Sequence, residues 1–160
     1  MNTTPSPQMS RFNQLIGQTQ AVYHEAALRL GLSDSVQDML YVLLEQGGDC
    51  PLQTLCQRCA LPKQTINSAL RKLEAQGTVS LRPHGRGKRV SLTPAGQALA
   101  ERTVGRLIAA ENAILAAWPE EDTARYLALT EAFLTALRKN VRNFDPGAGQ
   151  SPDTSTGGPA

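Results

Sequence analysis

LPKQTINSALRKLEAQGTVSLRPHGRGKRVSLTPAGQAL, residues 61–99, changes its hydrophobic period twice, and those changes decide the fold. From Pro62 or Lys63 the period is helical. Ile66, Ala69, Leu70 and Leu73 fall at i, i+3, i+4 and i+7 as one apolar stripe, and Gly77 supplies the C-terminal stop. The opposite face carries Lys63, Gln64, Thr65, Asn67, Ser68, Arg71 and Lys72. The period then drops to two. Residues 78–82 alternate, residues 83–88 (PHGRGK) read as a turn, and residues 89–92 alternate again, which makes a hairpin with a basic tip. Thr93-Pro94 reopens a helix, with proline at an early position where its missing N–H costs nothing.

Working outward, a short helix is expected from Pro51 to about Leu61, burying Leu52, Leu55, Cys56 and Cys59. Before it, a helix opening at Ser33 or Ser35 buries Val36, Met39, Leu40, Leu43 and Leu44 and stops at Gly47-Gly48. The first helix runs from an N-cap at Ser10 to Leu30 with Phe12, Leu15, Ile16, Val22 and Tyr23 on one stripe, and Gly31 ends it. Beyond the hairpin, one helix runs unbroken from Thr93-Pro94 to about Trp118. A last one starts at residues 119–122 (PEED), acids at its positive end, and reaches about Asn143. Three helices followed by a hairpin, with the third and fourth helices joined by only a few residues, is the order of a winged helix-turn-helix. The expected fold class is mainly α with a small β-hairpin wing. Residues 1–9 and the Gly/Pro/Ser/Thr-rich residues 145–160 bury too little apolar surface to offset their ordering and are expected to be disordered.

The net charge of +2 conceals an asymmetry. Residues 50–89 hold eight basic residues against the single acid Glu74, so that segment carries +7 and the rest of the chain −5. Half of all the bases in a quarter of the length points to a polyanion partner, the alternative being a solvated surface stripe. A helix enters the major groove when one face packs on its domain and the other is polar, and the helix after Pro62 has that split. Gln64 and Asn67 suit adenine edges, Arg71 guanine or phosphate, Thr65 a thymine methyl, and Lys63 and Lys72 phosphates; Ser68 shares their face. The hairpin adds Arg82, His84, Arg86, Lys88 and Arg89, a narrow basic loop suited to the minor groove. The rival reading is an amphipathic surface helix followed by a solvated turn, a module that binds protein and not DNA.

Residues 61–99 resemble the MarR family of bacterial regulators. In that family the recognition helix ends in Leu-Glu-x-x-Gly, matched here by Leu73-Glu74-Ala75-Gln76-Gly77. The wing returns into Leu-Thr-x-x-Gly, matched by Leu92-Thr93-Pro94-Ala95-Gly96. The resemblance extends over roughly residues 11–143. It implies a homodimer whose first and last helices interlock, with the winged domains binding a pseudo-palindromic site on double-stranded DNA. On that basis residues 10–32 and 96–144 are dimerisation helices and residues 33–95 the DNA-binding domain. The apolar stripes of the first and last helices agree, since they exceed what one small subunit easily covers. One position departs from the pattern. The family's wing has Asp two residues before its Arg, where this chain has His84 before Arg86.

The resemblance also implies a cleft between the dimer helices and the winged domain for a small aromatic or phenolic effector. Tyr23, His24 and Tyr41 are its candidates, the alternative for His24 being a surface or interface histidine. Three clustered cysteines, an odd number, are a poor disulfide framework and fit a reducing compartment. Cys56 and Cys59 fall on the apolar side of a helix and read as small buried hydrophobes. Cys50, just before Pro51, is expected to be exposed and is the candidate for a thiol-based redox sensor. No catalytic set, cofactor motif or zinc pattern appears, and no apolar run is long enough to span a membrane, so a cytoplasmic, non-enzymatic protein is expected.

Overall fold

The computed structural model describes residues 3–145. The expectation for the C-terminal tail falls, but for Asp145, outside those residues. The chain divides after Ala113 into two units.

The first unit opens with α1 (Pro7–Leu30), then α2 (Asp34–Glu45), β1 (Asp49–Pro51), α3 (Leu52–Cys59) and α4 (Lys63–Ala75). The hairpin β2 (Val79–His84) and β3 (Gly87–Leu92) follows, then α5 (Pro94–Arg102) and α6 (Val104–Ala116), which crosses the division. The starts of α2 and α5 follow side-chain chemistry. Ser33 caps α2 by accepting from the Val36 amide at 3.3 Å. Thr93 caps α5 by accepting from the Gly96 amide at 3.0 Å, while its hydroxyl donates to the Gly77 carbonyl at 2.5 Å. Gly31 and Gly77 both hold the left-handed conformation, φ +70° in each, that ends a helix without a Cβ penalty.

The core sits between α2, α3, α4 and the sheet. Met39, Leu40, Leu43, Leu55, Ile66, Val90 and Val104 are fully buried, drawn from the apolar faces of α2, α3, α4, β3 and α6. The stripe read on α4 is the stripe it buries: Ile66, Leu70 and Leu73. Gly96 lets α5 cross the backbone of the sheet entrance, because a Cβ there would stand 1.9 Å from the Thr78 carbonyl oxygen.

Several expectations are corrected. The first helix begins at Pro7, with Ser6 and not Ser10 as the cap; Ser6 Oγ accepts from the Met9 amide at 3.1 Å, so residues 7–9 are helical and not disordered. A third strand, β1, pairs antiparallel with β3, giving the order β1-β3-β2. Pro51 ends that strand and caps α3, so the helix starts one residue later than expected. The strands run closer to the hairpin tip than the glycines suggested. His84 pairs with Gly87, and only Gly85 and Arg86 form the loop. Gly85 has φ +56° and Arg86 a negative φ, the pattern of a tight two-residue turn that matches strand twist.

The helix after the wing is also not continuous. Thr103 breaks it, with φ −111° and ψ −90°. Its hydroxyl donates to the Leu99 carbonyl at 2.6 Å, the back-bonding that bends helices, and buried Ala100 and Val104 on either side hold the bend in the core.

The second unit consists of the end of α6 and α7 (Glu120–Arg142). Glu120, Glu121 and Asp122 occupy the first turn of α7 and Lys139 and Arg142 the last, each complementing the helix dipole. Trp118 meets Tyr126 edge to face at 5.4 Å. No residue of α7 is buried, and Tyr126, Leu127, Phe133, Leu134, Leu137 and Val141 stand exposed.

Candidate nucleic-acid interface

α4 presents two polar rows. Lys63, Asn67 and Arg71, four residues apart, line a cleft with Arg86 and Lys88 of the wing. Gln64, Thr65, Ser68 and Lys72 line a second cleft on the other side, shared with Ser33 and Ser35 at the start of α2. Lys63, His84, Arg86 and Lys88 also rim a hollow floored by Pro51, Leu52 and Leu61. Every recognition-helix candidate is exposed except Asn67, which is half-buried. Ser33 and Ser35 carried no sequence signal beyond capping; only the fold brings them beside α4.

The bases divide by their partners. Arg58 donates to Glu45 at 2.5 Å. Arg89, half-buried on β3, donates to Asp49 of β1, and Arg82 reaches both Ser91 and Asp49. Arg82 and Arg89 therefore sit at the root of the wing and face a carboxylate, whereas the sequence placed them with its free basic tip. Lys63, Arg71, Lys72, Arg86 and Lys88 have no carboxylate within ion-pair distance among the described residues. These five cations leave α4 and the wing with a positive surface that no described carboxylate neutralises.

The cleft candidates separate as well. Tyr23 of α1 and Tyr41 of α2 both donate to Glu111 of α6, each at 2.5 Å, one to either carboxylate oxygen. Burial and this bond push the Tyr41 hydroxyl well above its ordinary pKa. Together with Gln37, Asp38, Glu45, Arg58, Cys59 and Leu107 they line a cleft of 310 Å³. Gln37 is buried; its amide donates to the Tyr23 carbonyl at 3.1 Å and leaves its own Oε1 without a donor. Burial and the nearby Asp34 raise the Asp38 carboxyl. Glu111 was missed from the sequence, since it lies 88 and 70 residues from the two tyrosines it joins. His24 is corrected: it does not line the cleft, and its Nδ1 meets the Asp34 carboxylate at 2.9 Å on an exposed surface.

The exposure expected of Cys50 is corrected too. Pairing with Val90 in the sheet leaves it 1% exposed, and burial pushes its thiol pKa up. Thiol reactivity follows the thiolate, so the structure removes the ground on which Cys50 was chosen as a sensor. Cys59 is pushed up to about 12 by burial and by the neighbouring Asp38. Cys56 and Cys59 are half-buried and pack against the core, and no cluster of metal-ligating side chains occurs among the described residues. No described helix is long and apolar enough to cross a membrane.

Residues 30–90 match the model of the MarR family. No curated protein sequence matches the chain. In fold it is similar to a MarR family regulator from Neisseria meningitidis, with a TM-score of 0.76 and 21% identity over 86% of this chain and 98% of that one. A MarR family transcriptional regulator from Silicibacter pomeroyi superposes with a TM-score of 0.56 and 26% identity over 84% and 88% of the two chains. NadR in complex with 4-hydroxyphenylacetate does so with 0.64 and 17% over 86% and 96%. Residues 30–90 thus carry the pattern of the MarR family, and the winged-helix fold around them is similar to that of solved MarR family regulators.

Proposed function

We propose that this regulator binds a pseudo-palindromic promoter site as a homodimer, α4 of each subunit entering a major groove and each wing tip the flanking minor groove. The observation that carries the reading is the set of five uncompensated cations on α4 and the wing. Lys63 and Lys72 bracket the polar residues that reach base edges, and Arg86 stands at the tip of a two-residue turn narrow enough for a minor groove. Residues 33–95 form the DNA-binding domain. Residues 10–32 and 96–144 supply the dimer contact, with the exposed apolar residues of α1 and of α7 as the surfaces a second copy covers. The test is capture of genomic fragments on the purified protein near physiological salt. Enrichment of fragments sharing a palindrome with half-sites about one helical turn apart is expected. Fragments without a common motif would leave only charge-driven binding and overturn the reading.

The cleft of Tyr23, Tyr41 and Glu111 is the proposed effector site. It takes a small aromatic molecule carrying a hydroxyl or other donor. Such a donor can replace a tyrosine on Glu111 or satisfy the Oε1 of Gln37, and the ring finds the tyrosine walls. Occupation shifts α1, α2 and α6 against each other and so changes the spacing of the two recognition helices. Because NadR was solved with 4-hydroxyphenylacetate, that compound heads the panel of probes. The expected result is weakened DNA binding on titration with a panel member, and a response reduced ~10-fold or more in Glu111→Gln, as for the loss of a charged hydrogen-bond acceptor. A panel that moves neither DNA affinity nor melting temperature would sink the effector reading.

A further inference from the structure

Two of the wing's arginines stand directly opposite one another. In the β2–β3 register Arg82 pairs with Arg89, and like charges so placed destabilise a hairpin unless something intervenes. The third strand supplies the counter-charge. Asp49 of β1 lies opposite Ser91 of β3, on the face that carries both arginines. One of its oxygens accepts from Arg89 Nε. The other accepts from the Ser91 hydroxyl at 2.5 Å and stands 3.7 Å from the Arg82 guanidinium. Arg82 closes the ring by donating to Ser91 Oγ at 3.1 Å. The Ser91 and Arg89 hydrogen bonds hold the Asp49 carboxyl below its ordinary pKa, so the charge persists at neutral pH.

A carboxylate and a backbone phosphate offer a guanidinium the same partner, anionic oxygens at hydrogen-bonding distance. Contacts from a wing root to phosphate add affinity but read no sequence. We propose that Asp49 is a specificity-determining residue of the DNA interface, a resident carboxylate that occupies Arg82 and Arg89 in place of phosphate and withholds them from sequence-independent contact. The inference rests on the DNA-binding reading above. Arg82, with 65% of its side chain exposed, needs only new rotamers to leave Asp49 for a phosphate; Arg89, at 32%, is more firmly seated. Arg82 thus carries most of the effect.

The test compares the full-length wild type with Asp49→Asn on two duplexes, the palindrome recovered by capture and a random sequence, over a range of salt. Asparagine keeps the shape and an acceptor for Ser91 but not the charge. The expected result is tighter binding to the random duplex at low salt, and a slope of log K against log salt steeper by roughly one unit per subunit, the signature of an added phosphate contact. Discrimination between the duplexes falls accordingly. Asp49→Glu retains a slope near that of the wild type, and Asp49→Asn with Arg82→Gln returns to it. A lowered melting temperature with an unchanged slope would make Asp49 merely structural and overturn the proposal while DNA binding stands. Binding of neither duplex by the wild type would overturn the DNA-binding reading and this proposal with it.

Discussion

Gly96→Ala lowers the melting temperature by about 10 °C, a loss of ~3 kcal/mol, at the upper end of the usual range for an overpacked site. A methyl at this position would meet the Thr78 carbonyl oxygen at 1.9 Å and the carbonyl carbon at 2.9 Å. Both are backbone atoms and cannot rotate aside. Thr78 itself is held from two directions, its amide by the Leu73 carbonyl at 2.8 Å and its carbonyl by the Thr93 amide at 3.1 Å. Relief therefore requires α5 to lift away from the sheet entrance, and with it buried Ala100. Gly17 is the control. It lies within α1 with nothing within 4 Å of a built Cβ, so Gly17→Ala is neutral or stabilising by up to ~1 kcal/mol from helix propensity. Thermal unfolding by circular dichroism separates the two. A Gly96→Ala protein melting within two or three degrees of the wild type, about the effect of ~1 kcal/mol, would show that α5 does not make this contact in solution.

The double variant Arg71→Ala, Arg86→Ala loses at least ~100-fold in affinity for the captured palindrome. A base or groove contact is worth ~1–3 kcal/mol, and each substitution counts twice in a dimer. Both side chains are exposed and neither has an ion-pair partner among the described residues, so stability stays within ~0.5 kcal/mol of wild type. The two singles should differ in kind. Arg71, in the Lys63–Asn67–Arg71 row, changes which base is preferred if it reads guanine; Arg86 at the wing tip changes the preference for a narrow, A·T-rich flank. Electrophoretic mobility shift on wild-type and substituted sites reads both. Specific affinity within threefold of wild type in the double variant would remove α4 and the wing tip from the interface.

What could be read in the sequence follows from how local each signal is. The faces of α4 and the hairpin are written in consecutive residues, by a period of 3.6 giving way to a period of two, and both were legible with their exposed residues. β1 was not, because three residues containing a proline carry no period, and that strand exists only through its pairing with β3. The fate of Cys50 hung on the same pairing. The bend at Thr103 escaped because threonine is common within helices and only its buried neighbours show that the hydroxyl bonds backwards. Asp49 and Glu111 were invisible for a third reason: their partners lie some 40 and 70 or more residues away, and a lone acid announces none of them.

Thr93 has a mechanical consequence. One hydroxyl ties the Gly77 carbonyl, just past the end of α4, to the opening turn of α5, and the glycine three residues on seats that turn against the Thr78 backbone. α4 is thus not a free pointer on a flexible stalk. Its C-terminal end and the start of α5 form a stiff corner, so a tilt imposed on one is delivered to the other with little slack, as in a bell crank.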